Sequence, residues 1–310
     1  MSIISFSTEG SRFSLVSGAK NCDIQAGLTA ELPAEGCGKT AGDHSMLIRA
    51  LNEHWIWKRR LRVLGHHFRA PTLDRLVALW MHKLGILGRA ETRILRRLLR
   101  PGMTVLDVGA NQGLFTLLLA NLVRPGRVFA FEPQPFLYQQ LVSNVQANTL
   151  GNVVCHNLAV SSSSGRLVLQ PGKMNWGDSR IVTGAAPAPG QIKVDAVSLD
   201  ENFADRKVDF LKIDVQGGEA EALFGARRVL AENMDLVVMF ELWPYGLLKA
   251  GSSPEVLLAF LRDLEFQLWQ IKKGRLTKFD QKDLPDPTKE FSYCNLVGTR
   301  NPLLIKHLVS

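Results

Sequence analysis

The chain has 310 residues, 46% hydrophobic and 21% charged, enough for one large α/β domain with an appendage. Four scattered cysteines with no CxxC pair argue against a zinc site or a disulfide framework. No long apolar run and no basic-then-apolar start marks a transmembrane helix or a secretory signal, so a reducing, cytoplasmic setting is expected. The net charge of +8 is uneven, because residues 46–100 hold 13 Lys and Arg against 3 Asp and Glu; this segment reads as a solvated helical face or as an attraction to an anionic partner.

Residues 1–45, rich in Ser, Gly, Thr and Ala with weak periodicity, are expected to be loosely ordered. Residues 46–100 carry three helical patterns, LIRALNEHWIWKRRLRVL, TLDRLVALWMHKLGIL and AETRILRRLL, with Trp55, Trp57 and Trp80 as anchors of a small core. Pro101-Gly102 then opens a main domain over 101–300, with 301–310 as a tail. Within it, strands in MTVLDV, RVFAFE, NVVCHNLAV, VDFLKIDV and DLVVMFEL alternate with helices near 114–123, 136–148, 219–231 and 254–263. Such alternation predicts a parallel sheet covered on both faces, with ligands outside the carboxyl ends of the strands. RLVLQ and QIKVDAVSLD read as an antiparallel hairpin inserted before VDFLKIDV, and LEFQLWQI and SYCNLVGTR as the last strands.

The stretch VLDVGANQGLFT carries the first chemical signal, Asp107-x-Gly109-x-Asn111-x-Gly113 between a strand and a helix. Gly109 and Gly113 permit tight turns, and the helix beginning near Leu114 presents unpaired N–H groups. A dinucleotide fingerprint would read GxGxxG, and an acid at the strand end repels a pyrophosphate. The same acid suits the ammonium and sulfonium of S-adenosylmethionine. Glu132 ends the next strand, where a carboxylate can accept both ribose hydroxyls. In FLKIDVQGGE, alternation puts Phe210, Lys212 and Asp214 on one face, with Asp214 at the carboxyl end as a candidate base or acceptor-orienting group. Its alternative is a pair with Lys212 or a helix cap.

LDVGANQGLFT, AFEPQPFLYQQLVSNVQAN and VDFLKIDVQGGEAEALFGA together resemble the FkbM-type family of class I S-adenosylmethionine-dependent methyltransferases, over roughly residues 91–300. The resemblance implies a Rossmann-like sheet with an N-terminal helical extension, and methyl transfer to a hydroxyl on a sugar, glycolipid or secondary metabolite. It also implies that Asp107, Gly109, Asn111 and Gly113 border the methionine part of the cofactor and that Glu132 holds the ribose. Asn157-Leu158-Ala159 falls where relatives hold the adenine, with a simple polar turn as the alternative. Glu91 resembles an acid that relatives place before their first strand, which implies a cofactor-binding role at the cofactor's ammonium, with a pair to a nearby arginine in its helix as the equal alternative. Asn175 and Trp176, in MNWGDSR, resemble an Asn-x-Gly loop near the acceptor, followed here by the longer run TGAAPAPG.

Glu241, at the end of LVVMFE, is a further acceptor-side candidate, with Trp243 as a pocket wall. His66-His67 and His156 read as packing residues, no metal site is expected, and HExxH, GxSxG and P-loop motifs are absent. Expected partners are the cofactor and a small-molecule or glycan acceptor. The basic segment leaves an RNA or DNA methyltransferase open as an alternative, although the aromatic NPPY-type tetrapeptide used on bases is missing after KIDV. A non-catalytic S-adenosylmethionine-binding module is the other alternative.

Overall fold

The computed structural model describes residues 3–6, 13–16, 61–63, 66–68, 89–172, 179–182 and 187–309. β1 (Ile3–Phe6) and β2 (Phe13–Val16) pair antiparallel and belong to a first unit, which ends at Leu47; all later elements belong to a second. That second unit opens with the hairpin of β3 (Leu61–Val63) and β4 (His66–Phe68). There follow α1 (Arg89–Leu98), β5 (Thr104–Val108), α2 (Leu114–Val123), β6 (Arg127–Phe131), α3 (Pro135–Ala147) and β7 (Val153–His156). Next come four strands, β8 (Ala159–Val160), β9 (Gly165–Gln170), β10 (Arg180–Val182) and β11 (Ile192–Val197). The chain continues through α4 (Leu199–Phe203), β12 (Phe210–Ile213), α5 (Glu219–Phe224), α6 (Arg227–Glu232) and β13 (Val237–Leu242). Then come α7 (Pro244–Lys249), α8 (Pro254–Asp263), β14 (Gln267–Lys272), β15 (Arg275–Lys278) and β16 (Cys294–Thr299).

The main sheet has eight strands in the order β15-β14-β16-β13-β12-β5-β6-β7. The strands from β13 to β7 run parallel, and β16 is antiparallel to both its neighbours. The chain builds outward from β5 to β7 and then returns to place β12 on the other side of β5. Strand order therefore reverses between β5 and β12, and the ligand crevice of such a sheet opens there. This is the Rossmann-like class I sheet expected from the sequence, with α1 as its N-terminal helix.

Continuous apolar runs form the central strands because both faces are covered. Val105 and Phe210 pack with Ile94 and Leu95 of α1 and Leu117 of α2. Their neighbours Leu106 and Leu211 point the other way, into a core with Leu223, Val229 and Leu261. Alternation thus gives the sheet two distinct faces, one under α1 and α2 and one under α5, α6 and α8.

Several elements depart from expectation. NVVCHNLAV is not one strand: β7 joins the main sheet, and β8 joins a separate four-stranded sheet of order β10-β9-β11-β8. The break falls at Asn157, whose Nδ2 donates to the carbonyls of Glu132 (2.9 Å) and Pro133 (3.0 Å) and holds the chain at the end of β6. The expected RLVLQ hairpin forms, as β9 against β11, in this second sheet. The pattern 219–231 breaks into α5 and α6 at Gly225, where a Cβ would lie 1.9 Å from the Ser161 carbonyl oxygen. β15, α4 and α7 were not anticipated. In the N-terminal segment, Leu61–Val63 is a strand and not part of a helix, because Phe68 is buried in the α1–α2 core and hairpin pairing accompanies it. The second helical pattern, residues 72–87, lies outside the described residues.

Asn148, at the C-terminal end of α3, fastens that hairpin to the helix. The His67 N–H donates to Asn148 Oδ1 (2.9 Å), and Asn148 Nδ2 donates to the carbonyls of His67 (2.6 Å) and Asn144 (2.8 Å). Asn148→Ala strands partly buried backbone groups, so unfolding free energy should fall by about 1–3 kcal/mol in a urea titration. An unchanged midpoint would mean that the hairpin does not depend on this side chain.

Candidate functional site

β5 leaves the sheet through a loop that needs small or αL-tolerant residues. Gly109 has φ +80°, and a Cβ there would lie 1.9 Å from the Asp214 carbonyl oxygen, so the loop crosses the end of β12 in backbone contact. The N–H groups of Gly109 and Ala110 both donate to the Phe131 carbonyl, at 3.0 and 2.9 Å, which ties the same loop to the end of β6. Asn111 follows at φ +52°, a conformation Asn tolerates, and its N–H donates to Glu132 Oε2 at 2.9 Å. The Gln134 N–H donates to Glu132 Oε1, also at 2.9 Å. Glu132 is buried, and burial pushes its carboxyl up to about 7, against the pull of these two N–H bonds and with help from the charge of Asp107. Each of its oxygens keeps a lone pair for a further donor.

Gly109, Asn111, Glu132, Ala159 and Asp214 line one cleft of about 420 Å³. That volume lies within the range of roughly 300–1,000 Å³ that holds a cofactor-sized molecule. Leu158, Ser161, Val168, Ile181 and Glu221 complete much of the wall. Val168 and Ile181 come from the second sheet, and no motif marked them; their signal was limited to the alternation of the inserted hairpin.

The remaining expected residues stand elsewhere. Asp107 does not reach the cleft. It is fully buried, its Oδ2 accepts from Thr116 Oγ1 (2.6 Å), and its Oδ1 lies 3.8 Å from Lys212 Nζ. Lys212 counters its charge, so the preference for a cationic ligand must come from carboxylates nearer the surface. Gly113, at φ +90°, packs against Leu141 of α3 and starts α2. Asn157 braces the turn after β6 and is not a cleft wall. Glu91 makes no arginine pair within its helix; its Oε1 accepts from Asn295 Nδ2 at 2.7 Å. Trp243 is buried, donates from Nε1 to the Glu290 carbonyl (2.6 Å), and lies 5.0 Å from the Arg180 guanidinium, so it packs and does not line the cleft. His156 stacks on Phe131 with ring centroids 4.8 Å apart, and its buried Nε2 has no partner. Asn175 and Trp176 lie outside the described residues.

Charge concentrates beside the cleft. Asp214, whose side chain is 39% exposed, takes Lys212 Nζ on Oδ2 at 3.2 Å and Gln216 Nε2 on Oδ1 at 3.4 Å. Burial works against the Lys212 ammonium, but Asp214 and Asp107 outweigh it and raise its pKa, so it stays charged. Glu241 stands opposite Asn295 in register. Burial, with Asp214 and Glu219 close by, pushes its carboxyl up to about 8. Glu219 is fully buried and pushed up to about 7, the Gly217 N–H donating to its Oε1 at 3.1 Å. Among the described residues, no group of three or more His, Cys, Asp or Glu is placed to hold a metal ion.

Residues 107–268 match the family described as the methyltransferase FkbM domain. Methyltransferase sdnD of Sordaria araneosa is 30% identical over 198 residues, covering 53% of this chain and 73% of that one. The 31-O-demethyl-FK506 methyltransferase FkbM of Streptomyces tacrolimicus is 31% identical over 178 residues, covering 44% and 68%. The 2-O-methyltransferase NoeI of Sinorhizobium fredii is 24% identical over 194 residues, covering 57% and 73%.

Removing the Lys212 charge tests how this edge is held. Lys212→Met keeps apolar volume but leaves Asp107 buried without its cation, a loss of about 3–5 kcal/mol in stability near neutral pH. Because burial raises the Asp107 pKa, the deficit should be larger at the higher of two pH values and shrink at the lower one as the carboxyl protonates. Urea titrations at the two pH values would show it; a small, pH-independent change would exclude the ion pair as the cause.

Proposed function

The chain belongs to the FkbM methyltransferase family and is an S-adenosylmethionine-dependent methyltransferase, and on that premise we propose that it methylates a hydroxyl of a small-molecule or glycan acceptor. The observation that carries this reading is Asp214: at the end of β12, where base-methylating enzymes keep an aromatic tetrapeptide, this chain puts a carboxylate on the wall of the cleft. Two relatives whose names specify methylation at oxygen support it.

The chemistry of the donor set fits the cofactor. Gly109 and Asn111 form the lip that would hold its methionine part, Glu132 would accept the ribose hydroxyls, and Leu158 and Ala159 would flank the adenine. The bound cofactor supplies an electrophilic methyl group on a sulfonium, with a neutral thioether as leaving group. Asp214 would then accept the proton of the attacking hydroxyl, while Lys212 holds its carboxylate in place at 3.2 Å. Glu241, on the same edge, would orient acceptor hydroxyls, and Glu91 would meet the cofactor's ammonium. Positioning supplies most of the acceleration in such an in-line transfer. The free Cys155 and Cys294 suit a cytoplasmic setting. Incubating the protein with isotopically labelled S-adenosylmethionine and an extract of its own cells tests the proposal; label recovered on nitrogen of a nucleic acid would refute it.

Glu132 should make cofactor affinity pH-dependent. The ionised carboxylate accepts from ribose hydroxyls better than the neutral acid, so the Kd for S-adenosylmethionine should tighten as pH rises through about 7. Glu132→Gln should weaken binding about 10- to 150-fold and flatten that part of the profile in calorimetry. For Asp214→Asn, shape and most hydrogen bonding persist without the charge. Turnover of the identified acceptor should drop by about 10²-fold or more, with near-normal cofactor affinity. Normal turnover with a lower melting temperature would make Asp214 a structural residue.

A further inference from the structure

The outer face of α1 presents Arg93, Arg96 and Arg97 to solvent on one side of the helix. Two of them are fixed to neighbouring segments. Arg93 Nη1 donates to the Lys273 carbonyl (3.4 Å) in the β14–β15 turn, and Arg97 Nη2 donates to the His307 carbonyl, while His307 Nε2 lies 3.0 Å from the Arg97 carbonyl. Those contacts join the exposed cations of α1 to exposed Lys273 and Arg275 on one side and to exposed Lys306 on the other. None of these six side chains has an acidic partner within 4 Å among the described residues, although ten other ion pairs form there. The charge is therefore uncompensated, and it is spread over three segments far apart in sequence.

Exposed aliphatic side chains lie next to two of these cations in the chain or by pairing. Leu303 is 75% exposed in the turn Pro302–Leu304, directly before the turn that carries Lys306 and His307. Val309 is 41% exposed and bridges to Leu276 of β15, next to Arg275. A phosphate backbone would be served by the cations alone and has no use for exposed leucine and valine. A bilayer interface accepts both, because basic side chains meet anionic headgroups while short apolar ones enter the acyl boundary.

We propose that the outer face of α1, the β14–β15 turn and the C-terminal turns form a docking surface for an anionic lipid bilayer. Contact is peripheral, since no helix among the described residues is long and apolar enough to cross a membrane. β14 runs parallel to β13, so the Lys273 turn lies at the carboxyl edge of the sheet, and α1 reaches the same edge through the Glu91–Asn295 bond. The C-terminal turns follow β16, which runs the other way, so the surface extends along α1 from the carboxyl edge to the amino edge, on the side of the sheet away from the cleft.

The test needs neither acceptor nor turnover, so it fails or succeeds independently of the proposed reaction. The full chain is sedimented with phosphatidylcholine vesicles, with and without phosphatidylserine. Binding should require phosphatidylserine and weaken as salt rises. R96E/R275E alters two cations whose side chains make no bond that holds the fold among the described residues, and it should reduce partitioning by about tenfold or more. R93K/R97K keeps the charge and should bind as the parent does. Calorimetry with S-adenosylmethionine on each variant checks that the fold is intact. Equal sedimentation with both vesicle types, or full binding by a folded R96E/R275E, overturns the proposal. So does failure to bind phosphatidylserine vesicles while duplex RNA or DNA is bound in a salt-dependent way through the same residues.

Discussion

A single buried ammonium organises the carboxyl edge of this sheet. Lys212 lies between Asp107, at 3.8 Å, and Asp214, at 3.2 Å, with the Phe115 ring 4.9 Å from its nitrogen. It stands where strand order reverses, directly opposite Asp107 in the register of β12 against β5. Burying such a group is costly unless two conditions hold: opposite charge close by, and hydrogen bonds for the remaining valences. The first is met from two neighbouring strands; the second is met only in part, by the single bond to Asp214, and Asp107 Oδ1 is left without a hydrogen-bond donor. The carboxylates nevertheless outnumber the cation. Glu241 feels its field only in part, and burial leaves Glu219 and Glu241 pushed up to about 7 and about 8. The edge thus carries one buried positive charge among an excess of protonatable oxygens.

A second constraint is steric. Because the Gly109 backbone touches the Asp214 carbonyl, the loop that would cradle the cofactor and the residue that would face the acceptor cannot move independently. The Asp214 N–H also donates to the Val108 carbonyl at 3.0 Å, which closes the contact from the other side. Any side chain at Gly109 would push β5 and β12 apart. Distance between donor and acceptor groups is therefore set by main chain, the least adjustable part of the structure.

Much of this was legible in the sequence, and the reasons are local. β5, β6, β12 and β13 announce themselves as short apolar runs ending in an acid or a glycine, and Gly109 and Asn111 are residue types suited to positive φ. What was not legible is non-local. The pairing of Asp107 with Lys212 depends on strand register, and a sequence read along its length does not reveal register; alternation placed Lys212 correctly on one face but could not say which carboxylate stood opposite. Glu91 and Asn295 are likewise 204 positions apart. β8 has two residues, too few for any periodicity, and its sheet assignment follows from pairing with β11. The β3–β4 hairpin shows the opposite failure, where a helical period was present and tertiary burial of Phe68 overrode it.

The two faces of the sheet divide the work at this edge. Asp107, Lys212 and Glu241 share the α1–α2 side by alternation with Val105, Phe210 and Met239, and Glu91 joins them from α1. The cleft opens towards the other side, where the second sheet supplies Val168 and Ile181 and α5 supplies Glu221. Asp214 is common to both: it bonds Lys212 on one side and lines the cleft on the other. A group in that position touches both the charged cluster and whatever lies in the cleft. A residue on either face alone could do one or the other. The backbone contact of the Gly109 loop with Asp214, and the Asp214 N–H bond to Val108, hold this aspartate between both neighbours.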